Sequence, residues 1–190
     1  MNKYLIVILL HQFIFQGMFL VKNIYLKMKT GRQIKGKNRE VVFSIIFFTI
    51  FIVLSIILTW ITKPFGLVIL VEALVALMAA ILLLIINIII SVISLIDMKD
   101  SWRVGILEDQ KAALISSGIY RFTRNPYFVS YILMFTAYTV LLQNIVLLGL
   151  SFIGIVFIHK MILKEEAYLH KVHGEVYIQY KKKVSRYILI

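Results

Sequence analysis

The sequence contains no cysteine, which excludes disulfides, thiolate catalysis and Cys-based metal sites. Charge is also scarce: 16% of the 190 residues are charged, against about 25% in a soluble globular domain. The few charges are one-sided, with 21 Lys and Arg against 9 Asp and Glu. There is no glycine-rich dinucleotide loop, so a Rossmann-type cofactor fold is not expected. No HExxH pattern occurs, and neither an internal repeat nor a low-complexity linker is present. The start carries no small-residue cleavage site, so the first apolar run is read as a helix and not as a removed leader.

What fills the sequence instead is apolar: 61% of residues are hydrophobic. The runs are long enough to cross a bilayer, and the expected class is an all-α integral membrane bundle of about five transmembrane helices. The spans are placed at Tyr4 to Val21, Val41 to Ile61, Leu67 to Ile96, Tyr127 to Leu142 and Ile145 to Ile158. The last two are separated only by Gln143 and Asn144, which predicts a tight helical hairpin. Within the third span, Glu72 is placed near the outer end in reach of water. Asn87 is expected to hydrogen-bond to a neighbouring helix. The chain reads as one domain, with three N-terminal spans over 1–96 and the hairpin with its C-terminal cap over 97–190.

Nineteen of the 21 basic residues fall in the segments 22–40, 97–126 and 159–190. Five spans put these three segments on one side, which the positive-inside rule makes the cytoplasm, with the N-terminus outside and the C-terminus inside. Juxtamembrane cations of this kind bind anionic headgroups. The lipid bilayer is the expected partner, and nucleic acid is not, because the aromatics lie in the spans and not on a soluble stacking platform.

Two polar passages interrupt the pattern. In "GIYRFTRNPYFVS", residues 118 to 130, Asn125 stands as an N-cap and Pro126 as the first residue of the fourth span. Arg121 and Arg124 can snorkel to lipid phosphates. In "KEEAYLHKVHGEVYIQY", residues 164 to 180, Tyr168, Leu169, Val172, Val176, Tyr177 and Tyr180 lie near helical spacing. They suit an amphipathic cytoplasmic helix at the membrane surface. Glu165 and Glu166 are adjacent, so on a helix they point about 100° apart and only one can enter a given site. His170 follows Glu166 by four and precedes His173 by three, a spacing open to a metal or to a solvated face. No metal site is expected.

The hairpin brings these two passages to the same side of the membrane. Together, "LISSGIYRFTRNPYFVS" and "EEAYLHKVHGEVYIQYKKKV" resemble the isoprenylcysteine carboxyl methyltransferases and the related phospholipid methyltransferases, over about residues 101 to 186. The resemblance implies a membrane enzyme that uses S-adenosylmethionine and releases S-adenosylhomocysteine on the cytoplasmic side. It implies that Ala112, Ala113, Leu114, Ile115, Tyr120, Asn125, Pro126, Tyr127, Phe128 and one of Glu165 and Glu166 bind the cofactor. The implied cap is the helix from about Glu166 to Lys183. Arg121, Arg124 and Met161 fall at positions that face the acceptor. The implied acceptor is lipophilic, a prenylcysteine-like carboxylate, with a phospholipid or other lipophilic amine as the alternative. A non-enzymatic membrane protein is the third reading. Asn125 replaces the family's usual His, Phe128 its Tyr and Ser130 its Gly. Met161 replaces an arginine thought to hold the substrate carboxylate.

Overall fold

The computed structural model of the chain describes residues 2–31, 39–61, 65–103, 105 and 113–187. Six α-helices order themselves along it: α1 Lys3–Thr30, α2 Arg39–Trp60, α3 Ala73–Asp97, α4 Pro126–Leu142, α5 Ile145–His173 and α6 Glu175–Lys183. Short 3-10 turns occupy Lys99–Ser101 and Gly118–Arg121. Four helices, α1, α2, α3 and α5, are long and apolar enough to cross a membrane, and α4 is a shorter apolar helix. The expected all-α membrane bundle is therefore present, with four helices of spanning length and a shorter apolar fifth. Its outer surface is lined with exposed Leu, Ile, Val and Phe, such as Phe13, Leu70 and Phe152, as a lipid-facing surface requires.

Local chemistry sets the helix ends. The Asn2 side chain accepts from Tyr4 N at 3.0 Å and starts α1. The same side chain donates to Thr59 O at 2.6 Å, tying this end to the end of the antiparallel α2. Gly174, at φ 53°, separates α5 from α6.

The expected third span begins too early. Residues 67–72 are not helical, because the helical hairpin recruits this stretch. Val68 N donates to Gln143 O and Ile145 N donates to Gly66 O, both at 2.8 Å. The Gln143 Oε1 accepts from Leu70 N and Val71 N, and Asn144 Nδ2 donates to Phe65 O. At 17 residues α4 is about 26 Å long, less than the hydrocarbon thickness. Its turn therefore sits where unpaired backbone is costly, and this second strand of chain satisfies it. Glu72 lies just before α3, exposed and with no side-chain cap bond.

Helix α5 departs in the other direction. It continues about fifteen residues past Ile158 without a break. A helix of 29 residues is about 43 Å long, so its last turns project beyond the lipid. That projection carries Glu165 and Glu166. Close approach between α5 and the bundle depends on Gly154, where an added Cβ would stand 2.7 Å from Phe135 and 2.8 Å from Phe47. Small residues at helix crossings serve this purpose in membranes.

The apolar core is aromatic: Phe15, Phe51, Phe135 and Tyr138 are all fully buried. A neutral polar network threads it. The His11 ring meets Tyr138 OH at 2.8 Å through Nδ1 and Asn87 Oδ1 at 2.9 Å through Nε2. Asn87 Nδ2 donates to Ser130 O at 2.5 Å. Since the Asn87 oxygen must accept, His11 carries its proton on Nε2 and accepts the Tyr138 hydroxyl at Nδ1. Asn87 thus bonds to helices α1 and α4, as expected; His11 and Tyr138 were not singled out from the sequence.

Candidate functional site

The site starts from a glycine. Gly118 has φ +60°, and a Cβ there would stand 2.0 Å from Asp97 Oδ2. Both constraints select glycine. With the side chain absent, the Asp97 carboxylate at the end of α3 accepts from Ile119 N at 2.7 Å. The 3-10 turn that follows is fixed to α3, and Tyr120 is carried into the interior. Tyr180 of α6 donates its hydroxyl to Tyr120 O at 2.7 Å. Burial pushes both phenols well above their usual range and keeps them neutral.

Beyond the turn the chain makes its Asn-Pro bend into α4. Pro126 opens the helix as expected. Asn125 does not cap it with its side chain; the side-chain amide donates instead to Arg186 O at 3.1 Å. The bend binds a C-terminal strap: Arg124 N donates to Ser185 O at 2.9 Å, and Thr123 Oγ1 to Arg186 O at 3.0 Å. The strap's Tyr187 hydroxyl meets His159 Nδ1 at 2.7 Å.

An ion-pair cluster fastens the arrangement. Glu166, 6% exposed, receives Arg124 Nη2 at 2.7 Å and Arg186 Nη2 at 2.9 Å. Arg124 Nε and Arg186 Nε add bonds to Oε1 at 3.2 and 3.1 Å. The remaining Arg124 nitrogen donates to the carbonyls of Lys181 and Val184 at the end of α6. One guanidinium thus joins α5, the end of α6 and the bend. The Arg186 guanidinium is held above its ordinary pKa, first by its bond to Glu166. Tyr177, buried beside this cluster, has its phenol pushed up to about 12, mainly by removal from water.

On the other side of the bend lies a cavity of about 160 Å³. The bend contributes Tyr120, Asn125, Pro126, Tyr127 and Phe128, and α5 contributes Met161, Lys164 and Glu165. One stripe of α2, Val41, Ser44, Ile45 and Phe48, closes it, with Met98, Trp102, Arg103 and Gly105 on the remaining wall. Its aromatic rings brace one another. Trp102 meets Tyr127 edge-on at 4.8 Å, Tyr127 meets Tyr131 at 5.0 Å, and Tyr131 stacks on Phe48 at 4.5 Å. The Tyr127 and Tyr131 hydroxyls are 2.8 Å apart. Trp102 is oriented by donation to Asn23 Oδ1 at 2.8 Å. At the rim Lys164 is ion-paired to Glu40, so α5 and α2 meet through charge.

The two adjacent acids are divided between these surfaces. Glu165, half-buried, lines the cavity; Glu166 belongs to the ion-pair cluster and does not. Arg124 lines the cavity, but its guanidinium is committed to Glu166 and backbone carbonyls. Arg121 is exposed and away from the wall. Ala113 is exposed, Leu114 and Ile115 are half-buried, and none of the three is on the wall; Ala112 lies outside the described residues. His170 and His173 sit on the last turns of α5, and the described residues hold no group of three or more His, Cys, Asp or Glu side chains suited to a metal.

Several wall residues escaped the sequence reading. Val41, Ser44, Ile45 and Phe48 recur at i, i+3, i+4 and i+7, but in an almost wholly apolar span that stripe does not stand out. Arg103 counted only as a juxtamembrane charge, and Asp97, which anchors the Gly118 turn from outside the wall, was not singled out at all.

Comparison with known proteins bears on this geometry. A search among curated proteins gives no match. A family model described as Phospholipid methyltransferase matches residues 75–176. The match takes in Asp97, the Gly118 turn, the Asn-Pro bend, the hairpin and both acids, and it stops before the strap. Covering more than half of the sequence, this agreement means that the chain belongs to the phospholipid methyltransferase family.

Proposed function

We propose that the protein methylates a lipophilic acceptor at the cavity between α2, α5 and the Asn-Pro bend, with S-adenosylmethionine as methyl donor. The single observation that carries the proposal is the meeting of Tyr120, Asn125 to Phe128 and Glu165 around one cavity. These residues are far apart in sequence and converge only because the hairpin folds back.

The wall suits such a donor. Glu165 has no hydrogen-bond partner among the described residues and can take up an ammonium group. Tyr127, Phe128 and Trp102 offer aromatic faces and edges to a cationic or planar group. When bound, the cofactor supplies an electrophilic methyl group on a sulfonium centre. The protein's own task is proximity, alignment and exclusion of water. The Glu40–Lys164 pair and the α2 stripe hold the side facing the lipid, and Phe48 and Tyr131 give an acyl or prenyl chain an apolar surface.

The acceptor class best supported is a phospholipid or other lipophilic amine. Met161 offers no charge to a carboxylate, and two acids, Glu40 and Glu165, lie on the wall. Arg103, also on the wall, favours a second reading, a prenylcysteine-like carboxylate. The clustering of basic residues beside the bend and along α6 supports a cytoplasmic site, with the N-terminus outside.

Calorimetric titration of S-adenosylhomocysteine into the detergent-solubilised protein tests the cofactor. Saturable binding is expected, and none at millimolar ligand would overturn the proposal. Transfer of a labelled methyl group to phosphatidylethanolamine but not to prenylcysteine analogues is expected next; the reverse preference selects the carboxylate reading.

A further inference from the structure

Helix α1 buries one stripe, including Ile8, His11, Phe15 and Phe19, against the bundle. It turns another outward: Leu9 is 45% exposed, Phe13 80% and Leu20 61%, and Gln16 lies in the same stripe and is exposed as well. Positions 9, 13, 16 and 20 are spaced by four, three and four residues, the seam of a two-stranded coiled coil. Three of the four are at home in lipid. Gln16 is not.

Near the middle of α1, the Gln16 amide has only its Nε2 engaged, donating to Gln12 Oε1 at 3.1 Å. Among the described residues nothing bonds its Oε1 or its second N–H. Hydrocarbon supplies no partner, and unsatisfied polar groups there are costly. Gln12 is held in turn by its bond to Tyr138 OH at 2.8 Å, so the Gln16 amide is braced from behind by the buried network and presented outward.

We propose that α1 pairs with α1 of a second copy along this seam, with the two Gln16 amides bonded to each other across a two-fold axis. An amide is donor and acceptor at once, hence self-complementary. Two copies inserted in the same sense place the group at the same depth. One polar residue in an apolar seam also fixes register. Beside it, Gly17 has no atom within 4 Å of where a Cβ would stand, leaving the α1 backbone open to close approach.

The absence of cysteine makes the test clean. Leu20→Cys and, as a second reporter about two turns away, Phe13→Cys are each purified and reconstituted in lipid vesicles at low protein density. Ile89→Cys on α3, 51% exposed, serves as the control for random collision. Oxidised dimer is expected to form many-fold faster from the α1 reporters than from Ile89→Cys. Adding Gln16→Leu is expected to slow it roughly three- to tenfold, the range of interhelical hydrogen bonds in membranes, and Gln16→Asn to restore most of the rate. Because Gln16 is exposed on its own chain, the Gln16→Leu chain should keep its helical circular dichroism, so that a slower rate reports weaker pairing and not misfolding. Cross-linking of both α1 reporters at the rate of Ile89→Cys, or a fast rate that Gln16→Leu leaves intact, overturns the proposal.

Discussion

Two polar clusters among the described residues, one between the apolar helices and one past the apolar part of α5, differ in their chemistry. The inner cluster, His11, Asn87 and Tyr138, is neutral, and each member is a short hydrogen bond from the next. The outer cluster, Glu166 with Arg124 and Arg186, is fully charged. Hydrocarbon tolerates uncharged groups that satisfy one another and penalises ions. At the end of α5 water is close, and ions can be held if every lone pair is used. The inner cluster joins helices to helices, while the outer one joins a helix to a bend and a strap, and so shapes the site.

The largest effect should come from Glu166→Gln. It leaves two arginines facing each other with their common acid removed, and breaking a buried pair from one side costs about 3–5 kcal/mol. The strap and α6 should loosen together, lowering the melting temperature and raising amide exchange in residues 177–187. Unchanged stability would mean that the cluster does not hold the strap. The neighbouring acid supplies the contrast. Glu165→Gln should leave the melting temperature within experimental error and weaken S-adenosylhomocysteine binding about tenfold or more, the loss of one charge-assisted hydrogen bond. If instead Glu165→Gln destabilises and Glu166→Gln only weakens the ligand, the division of roles between the two acids is reversed.

A smaller loss is expected in the inner cluster. Asn87→Leu removes the acceptor of His11 Nε2 and the donor to Ser130 O, at a cost of about 1–2 kcal/mol, because membrane hydrogen bonds average less than one. His11→Phe in the same background should recover part of it, since the abandoned partner is then removed as well. Thermal melting of the two variants in detergent decides whether the inner cluster acts as a unit; equal and additive losses would say that it does not.

Much of this was legible from the residues alone, and the exceptions share one cause. Apolar runs located the helices, and the Gln143-Asn144 step located the hairpin, because in a membrane both signals are forced by the lack of water. The division between Glu165 and Glu166 followed from helical geometry in outline, since adjacent residues cannot share a face. Which acid turned inward did not, because that depends on Arg186, a residue twenty positions away that reads locally as one more basic tail charge. Arg124 was misleading for the same reason: at the mouth of a span an arginine looks like a headgroup or substrate ligand, and its real partners belong to other elements. His11 was invisible because nothing local distinguishes a histidine meeting Asn87 and Tyr138 from one turned to a pore. Long-range pairing, and not local propensity, decided each of these positions.

The smallest effect tests the one place where a local signal and a long-range one oppose each other. Gln143 sits in the left-handed region at φ 45°, where a side chain costs about 1 kcal/mol and glycine nothing. Its side chain nevertheless makes three bonds to the 70–71 backbone, at 2.8, 3.0 and 3.0 Å. Gln143→Ala keeps the strain and loses the bonds, so it should destabilise by about 1 kcal/mol. Gln143→Gly loses the bonds and the strain together, and should lie within a few tenths of a kcal/mol of the parent. If glycine proves as costly as alanine, the backbone conformation contributes nothing, and the hairpin turn is held by its side chain alone.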